Sequence, residues 1–295
     1  MRHIFVINPK PFIRRSFLDK VIFRIETQFK VLNEEYEVYV SRYPRDAVGF
    51  IRKRLIRQNT EEKFRVYAVG GSGTLYDCLN GTAGSAVELT QMPYGSTNDF
   101  LRSFDFNTIL KFLDIEQLCY GSLVNVDMFS CNANYAINYC AVGMEALTVL
   151  NAARLYGALG RHFSKFTRLC NYCYSLCRAA AMLRHELNDR RYNLTIDEVD
   201  YSGVYSSIIV ANGSFYGCAK NAPEGTQPWD GYLNIIIKNK NGSREVRGKK
   251  ININSQKPLI AALDGEVFNE CALEIKIIPS SVRFVVPKPP EHGLL

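Results

Sequence analysis

Four apolar, β-branched runs in the first third of the chain alternate with helix-like segments. The runs are Ile4 to Ile7, Tyr36 to Val40, Phe64 to Val69 and Val87 to Met92; the segments are Ser16 to Val31, Arg45 to Arg57 and Leu75 to Asn80. Strands separated by helix-length crossovers pair in parallel, and a parallel sheet is stable only when both faces are covered. The alternation therefore predicts an α/β domain with helices on both faces of the sheet. Ligands of such sheets bind beyond the carboxyl ends of the strands. Asn8-Pro9, Ser41, the turn Gly70-Gly71-Ser72-Gly73-Thr74 and the segment Pro93-Tyr94-Gly95-Ser96-Thr97-Asn98-Asp99 all follow such ends.

The glycine-rich turn joins a strand to a helix. Without Cβ atoms the main-chain N–H groups can approach an anion closely, and the helix that follows adds the positive end of its dipole. The turn suits a phosphate, although a glycine turn alone is equally a tight structural turn.

Near Val124 to Asp127 the pattern changes to short strand-like runs, among them Tyr135 to Cys140, Val204 to Ala211, Tyr232 to Ile237, Leu273 to Ile278 and Val282 to Val286. A helical insert over 146–187 interrupts them. With 295 residues, 47% of them hydrophobic, the chain can bury two cores. The expected architecture is an α/β N-terminal domain with a Rossmann-like parallel sheet over 1–127. A mainly antiparallel β-sandwich C-terminal domain with its helical insert follows over 128–282, and a segment over 283–295 returns to the first domain. No apolar run reaches the roughly 18 residues that span a bilayer. Met1-Arg2-His3-Ile4-Phe5-Val6 has no signal-peptide pattern, so a cytoplasmic protein is expected.

Nine cysteines lack the paired spacing of a disulfide scaffold. Cys170, Cys173 and Cys177 fall on one helix face, where buried packing is the preferred reading over a zinc site. The net charge is +7, with basic residues clustered at Arg52, Lys53, Arg54 and Arg57, along Arg161, Lys165, Arg168, Arg178 and Arg184, and at Arg244, Arg247, Lys249 and Lys250. Such surfaces attract anionic lipids or nucleotide phosphates. No nucleic-acid-binding motif accompanies them, so no nucleic acid is expected.

Five motifs in order then carry a resemblance. Asn8-Pro9, Gly70-Gly71-Ser72-Gly73-Thr74 with Asn80-Gly81, Pro93 to Phe100, Asp230-Gly231-Tyr232-Leu233 and Asp264-Gly265-Glu266 together resemble the diacylglycerol kinase catalytic family. That family takes in bacterial lipid kinases and sphingosine kinases and is distantly related to NAD kinases. The resemblance implies an ATP-dependent lipid kinase that phosphorylates the hydroxyl of diacylglycerol or a related lipid with magnesium. It implies an ATP site at Asn8, Pro9, Ser41, Gly70, Gly71, Ser72, Gly73, Thr74, Ser96 and Asn98. It places metal ligands at Asp99, Asp127 and Asp230, with the carbonyls of Gln227 and Tyr232. Glu266 stands where bacterial members carry the proton acceptor, with Asp264 beside it.

Phosphoryl transfer asks a protein for little covalent chemistry. It needs a nucleotide held in line, a cation on its phosphates and an acceptor for the proton of the attacking hydroxyl. One departure from the family matters: Ser72 stands where its Gly-Gly-Asp-Gly-Thr turn carries aspartate, and Tyr76-Asp77 replaces an Asn-Glu pair. Ser72 keeps a hydroxyl but loses a negative charge. A catalytically impaired nucleotide- or lipid-binding homologue is therefore the alternative. A lipid substrate requires peripheral membrane association, for which Leu155, Tyr156, Leu159, Phe163, Phe166 and Leu169 with Arg161, Lys165 and Arg168 are the candidate surface, unless those apolar residues pack inward. A homodimer is compatible with this reading.

Overall fold

The structure is a computed structural model that describes residues 1–10, 15–56, 63–95, 97–104, 106–159, 167–183 and 190–288, with side chains except at 106–108, 156–159 and 167–172. Two compact units emerge. The first comprises Met1–Gly95, Phe104–Val126 and Val282–Leu295, the second Ser96–Ser103 and Asp127–Ser281.

In the first unit the strands β1 (Arg2–Ile7), β2 (Glu35–Val40), β3 (Phe64–Gly70) and β4 (Glu88–Pro93) alternate with α1 (Arg15–Leu32), α2 (Asp46–Ile56) and α3 (Ser72–Thr82), followed by the short α4 (Ile115–Cys119). The sheet order is β4-β3-β1-β2, every pair parallel, as the alternation predicts. Strand β3 is buried along its whole length, as a parallel strand covered on both faces must be. On α1 the buried residues Val21, Ile25 and Phe29 fall four apart on one face. The Phe29 ring meets Phe5 edge-on, and Phe5 stacks on Tyr67 with centroids 4.2 Å apart.

The second unit is built from antiparallel strands. They are β5 (Ser122–Cys131), β6 (Asn134–Ala136), β7 (Tyr139–Gly143), β8 (Arg190–Ile196), β9 (Val199–Asp200), β10 (Gly203–Tyr205), β11 (Ser207–Ala211), β12 (Phe215–Tyr216), β13 (Lys220–Asn221), β14 (Leu233–Asn239), β15 (Gly242–Gly248), β16 (Lys250–Leu263) and β17 (Glu266–Val286). The hydrogen-bonded path runs β15-β14-β11-β7-β16-β17. Strand β16 changes partner along its length: Ile251–Asn254 pair with β8 and Ala261–Leu263 with β7, the register breaking between Asn254 and Leu259, where Pro258 can donate no ladder bond. The insert is a pair of helices, α5 (Met144–Leu159) and α6 (Thr167–Met182). Ala146, Val149 and Ala152 of α5 pack with Tyr174 and Cys177 of α6 and with Ala262, and Leu155 packs against the same cluster. Cys173 and Cys177 are buried free thiols. The remaining members of the expected docking surface lie outside the described side chains, as does Cys170.

The end of β17 returns to the first unit, where Arg283 and Phe284 pair in parallel with Glu88 and Leu89 of β4. Three neighbouring strands thus bring together one buried charge cluster. Arg65 pairs with Glu88 at 2.6 Å, donates to the carbonyl of Cys119 at 2.6 Å and to that of Leu118, while Arg283 adds a second contact to Glu88 at 3.1 Å. Removing one partner of a buried pair leaves a desolvated charge, whereas replacing both with apolar groups is far cheaper. Arg65→Met is expected to lower the unfolding free energy by about 3 kcal/mol in urea titration, and Arg65→Met/Glu88→Leu to recover part of that loss.

Candidate functional site

In the first unit the carboxyl ends of β1, β2 and β3 are tied together. The Asn8 N–H donates to the Val69 carbonyl (3.1 Å), while the Ser41 N–H (2.9 Å) and hydroxyl (3.3 Å) both donate to the Ile7 carbonyl. Asn8 Oδ1 accepts from the Lys10 N–H at 3.0 Å, closing the turn that contains Pro9. Gly70 ends β3, Gly71 is the N-cap of α3 in extended conformation, and no side chain caps that helix. Two glycines are required here by contact. A Cβ on Gly70 would stand 2.2 Å from Thr74 Oγ1, and one on Gly95 would stand 2.2 Å from the Gly71 Cα and 2.5 Å from its nitrogen. The segment after β4 is thereby pressed onto the glycine turn, and Gln91 reinforces it by donating to the Gly70 carbonyl at 3.3 Å.

Gly71, Ser72 and Gly73 nevertheless keep partial exposure, and Thr74 Oγ1 is buried with no hydrogen-bond partner among the described residues. An uncapped helix start, glycines at its edge and an unpartnered hydroxyl fit an oxyanion. Tyr76 and Asp77 serve the neighbouring turn, the Asp77 carboxylate accepting from the Arg45 N–H at 3.3 Å and the Tyr76 hydroxyl accepting from Arg45 Nη2 at 3.2 Å. Ser96 lies outside the described residues.

The remaining candidates, Asn98, Asp99, Asp127, Gln227, Asp230, Tyr232, Asp264 and Glu266, belong to the second unit. Three of the carboxylates are buried and take up main-chain donors. Asp99 accepts from the N–H groups of Cys218 (2.9 Å) and Ala219 (3.0 Å). Asp127 accepts from Gly231 and Ser280, both at 2.7 Å. Asp264 accepts from Ile137 (2.8 Å), Asn138 (3.1 Å) and Tyr139 (2.8 Å). Burial pushes the Asp99 carboxyl above its usual range against the pull of these donors and of Arg102, and lifts Asp264 to about 6.

Asp264 (φ 49°) and Gly265 (φ 96°) form a two-residue hairpin turn with both central φ angles positive, and Leu263 pairs with Glu266 across it. The clamp on residues 137–139 fixes that turn, and with it the partly exposed Glu266. Among the described residues no hydrogen bond or ion pair engages the Glu266 carboxylate.

The residues around Asp230 do not fit a divalent cation. Asp230 Oδ2 is ion-paired with Arg247 at 2.7 Å, Oδ1 accepts from the Tyr232 N–H at 2.9 Å, and Arg247 and Lys249 each stand 4.6 Å from the centre of the Tyr232 ring. Two cations already occupy the surroundings a third would enter. Among the described residues no group of three or more His, Cys, Asp or Glu could hold a metal ion.

Sequence reasoning missed Asn212, fully buried directly after β11, whose amide donates to the carbonyls of Asp127 (2.9 Å) and Ile137 (2.7 Å) and so joins the Asp127 and Asp264 clamps. The Asn212-Gly213 pair at a strand end was the available signal.

Residues 2–131 match the diacylglycerol kinase catalytic domain. That match and the relatives below support the diacylglycerol kinase catalytic family for this part of the chain. Proteins named "Putative lipid kinase" from Staphylococcus aureus strains Mu3 and Newman are 22% identical over 292 residues, covering 91% of this chain and 92% of theirs. Two Bacillus anthracis (strain Sterne) structures share the fold: one titled a "diacylglycerol kinases" structure has a TM-score of 0.70 at 16% identity, and another titled "A putative diacylglycerol kinase" 0.71 at 18%. Each covers 97% of this chain and 96% of its own.

Two outcomes are expected. Adding magnesium or EDTA leaves the melting temperature of the wild-type protein unchanged, because Arg247 already neutralises Asp230; differential scanning calorimetry checks this. The Asp264 carboxyl binds its proton more tightly in the folded protein than in the unfolded chain, so its contribution to stability falls as pH rises from about 4 through 6. Asp264→Asn, which turns an amide donor toward main-chain N–H groups, is destabilised at every pH and loses that slope, as paired melts at pH 5 and pH 7 will read.

Proposed function

We propose that the chain is an ATP-dependent lipid kinase acting on the hydroxyl of diacylglycerol or a related lipid. The observation that carries this reading is the uncapped glycine turn at the start of α3, inside the segment that matches the kinase family. The names of the relatives support a lipid as acceptor. In this reading the N–H groups of Gly71 to Gly73 receive the triphosphate, with Asn8, Pro9 and Ser41 at the neighbouring strand ends. Magnesium accompanies the nucleotide as part of the substrate, since among the described residues no group of three or more His, Cys, Asp or Glu could hold it.

Glu266 is the general base. A carboxylate that is partly exposed and unengaged can accept the proton of an attacking hydroxyl, whereas Asp264, Asp127 and Asp99 are committed to main-chain donors and act as positioning residues. Acceptance of the proton leaves the alkoxide character on the lipid oxygen only as it meets the phosphorus, which is where a base lowers the barrier. Among the described residues no helix is long and apolar enough to cross a membrane. Access to lipid is then peripheral, aided by the basic residues of the helical insert.

Ser72 supports a second reading, in which the protein binds nucleotide or lipid but turns over poorly, since the family's aspartate would supply a charge that serine cannot. Transfer of labelled phosphate from ATP to diacylglycerol in mixed vesicles separates the two. The kinase reading expects wild-type activity that falls on the order of 100-fold or more in Glu266→Gln with the melting temperature unchanged. A dead wild type revived by Ser72→Asp establishes the second reading. Absence of nucleotide binding, lipid binding and transfer together overturns both.

A further inference from the structure

A group of charged side chains in the second unit takes no part in the chemistry above. Glu145, at the start of α5, is buried at 1% exposure and receives two side-chain donors on Oε1, the Tyr174 hydroxyl at 2.7 Å and Lys220 Nζ at 2.5 Å. Lys220 lies in the hairpin β12–β13, opposite Tyr216, and the three residues at its tip, Gly217, Cys218 and Ala219, all hold positive φ (51°, 61° and 65°). Left-handed backbone at Cys218 and Ala219 is costly, and it persists because Asp99 takes both of their N–H groups. A Cβ on Gly217 would stand 2.9 Å from the Tyr174 hydroxyl and 3.0 Å from Glu145 Oε1, so the tip is pressed onto the pair.

The hairpin carries its ammonium into a place that already holds others. Lys220 Nζ and Lys238 Nζ both approach the buried Tyr216 ring, 5.8 Å and 6.0 Å from its centre, and Lys238 Nζ lies 3.4 Å from the Tyr216 hydroxyl. Arg178 stands one turn beyond Tyr174 on α6 and therefore on the same helix face, and its charge acts on Glu145, Lys220 and Lys238. Burial, with Arg178 as the like-charged neighbour, holds the Lys238 amine below its ordinary range.

Lys220 thus meets Glu145 directly, while the charges of Lys238 and Arg178 also act on that carboxylate. Glu145 answers Lys220, and Asp99 is answered by Arg102 and its main-chain donors. Glu245, on β15, lies opposite Ile236 and acts on Tyr216. No carboxylate is within hydrogen-bond reach of Lys238 or Arg178 among the described residues. Like charges that are half-buried together raise each other's energy unless an anion joins them.

We propose that Lys238 and Lys220, both set over Tyr216, with Arg178 one helical turn beyond Tyr174, form a binding site for a phosphate-type oxyanion. A dianion accepts from several N–H donors at once, and a guanidinium beside two ammoniums supplies them with a charge that matches. The oxyanion could arrive free in solution or as a phosphomonoester headgroup, and the two sources are separable. The site stands on its own geometry and does not depend on the kinase reading.

The test uses the full chain, with inorganic phosphate in calorimetric titration and phosphatidylcholine vesicles with or without phosphatidic acid in co-sedimentation. Lys238→Gln and Arg178→Gln, singly and together, are compared with Arg52→Gln/Lys53→Gln, which removes the same charge from α2. Binding to either probe that falls at least about tenfold in the Lys238/Arg178 variants, and not in the α2 variant, supports the site. Phosphate binding alone names a soluble ligand, and binding only to vesicles containing phosphatidic acid names a headgroup. Equal loss in the α2 variant, undiminished binding in folded Lys238→Gln, or no binding by wild type to either probe overturns it.

Discussion

Buried carboxylates tied to main-chain N–H groups hold the second unit in its working shape. Asp264 is the clearest case. Burial alone drives its proton affinity up, and only three converging N–H donors make the charged form tolerable. The strand entry at 137–139 and the hairpin that ends in Glu266 are therefore mutually dependent. Asp127 does the same for the loop ending at Gly231 and the bend at Ser280, and Asp99 for the strained tip at Cys218 and Ala219. A family aspartate can thus matter without meeting substrate, by deciding where the next loop stands.

The first unit relies on contact distance instead. Gly95 against Gly71 leaves no room for a side chain, and that closeness keeps the turn ahead of α3 open-edged and uncapped. Gly70, Gly95 and the Gln91 amide fix this main chain by direct contact. Ser72→Asp is therefore an informative substitution: it alters electrostatics at a turn whose main chain is fixed by other residues.

Much of the first unit was legible because hydrophobic period reports local structure. The four strands and three helices fall where the apolar runs put them, with ends shifted by a few residues. The second unit was harder to read for a physical reason. β16 includes Asn252, Asn254, Gln256 and Lys257 and bends at a register break, so its pattern resembles a loop, and β8 and β15 are rich in exposed charge. The candidate site residues were legible only as candidates, through motif order. Their partners were not: Cys218 lies 119 residues from Asp99, and Arg247, on β15, lies 17 from Asp230. Whether a carboxylate faces a metal, an arginine or an amide is decided by such distant partners, which no local pattern encodes.

The last strand adds a consequence for biosynthesis. Thr90 donates to the Val285 carbonyl at 2.8 Å, and Phe284 stacks on Phe104 with centroids 5.3 Å apart, so the first unit's core includes residues made nearly two hundred positions after β4. A nascent chain emerging from the ribosome must keep the open edge of β4 unpaired while the whole second unit is synthesised. During that interval the exposed strand edge is a target for misplaced pairing, a hazard that ends only when β17 arrives.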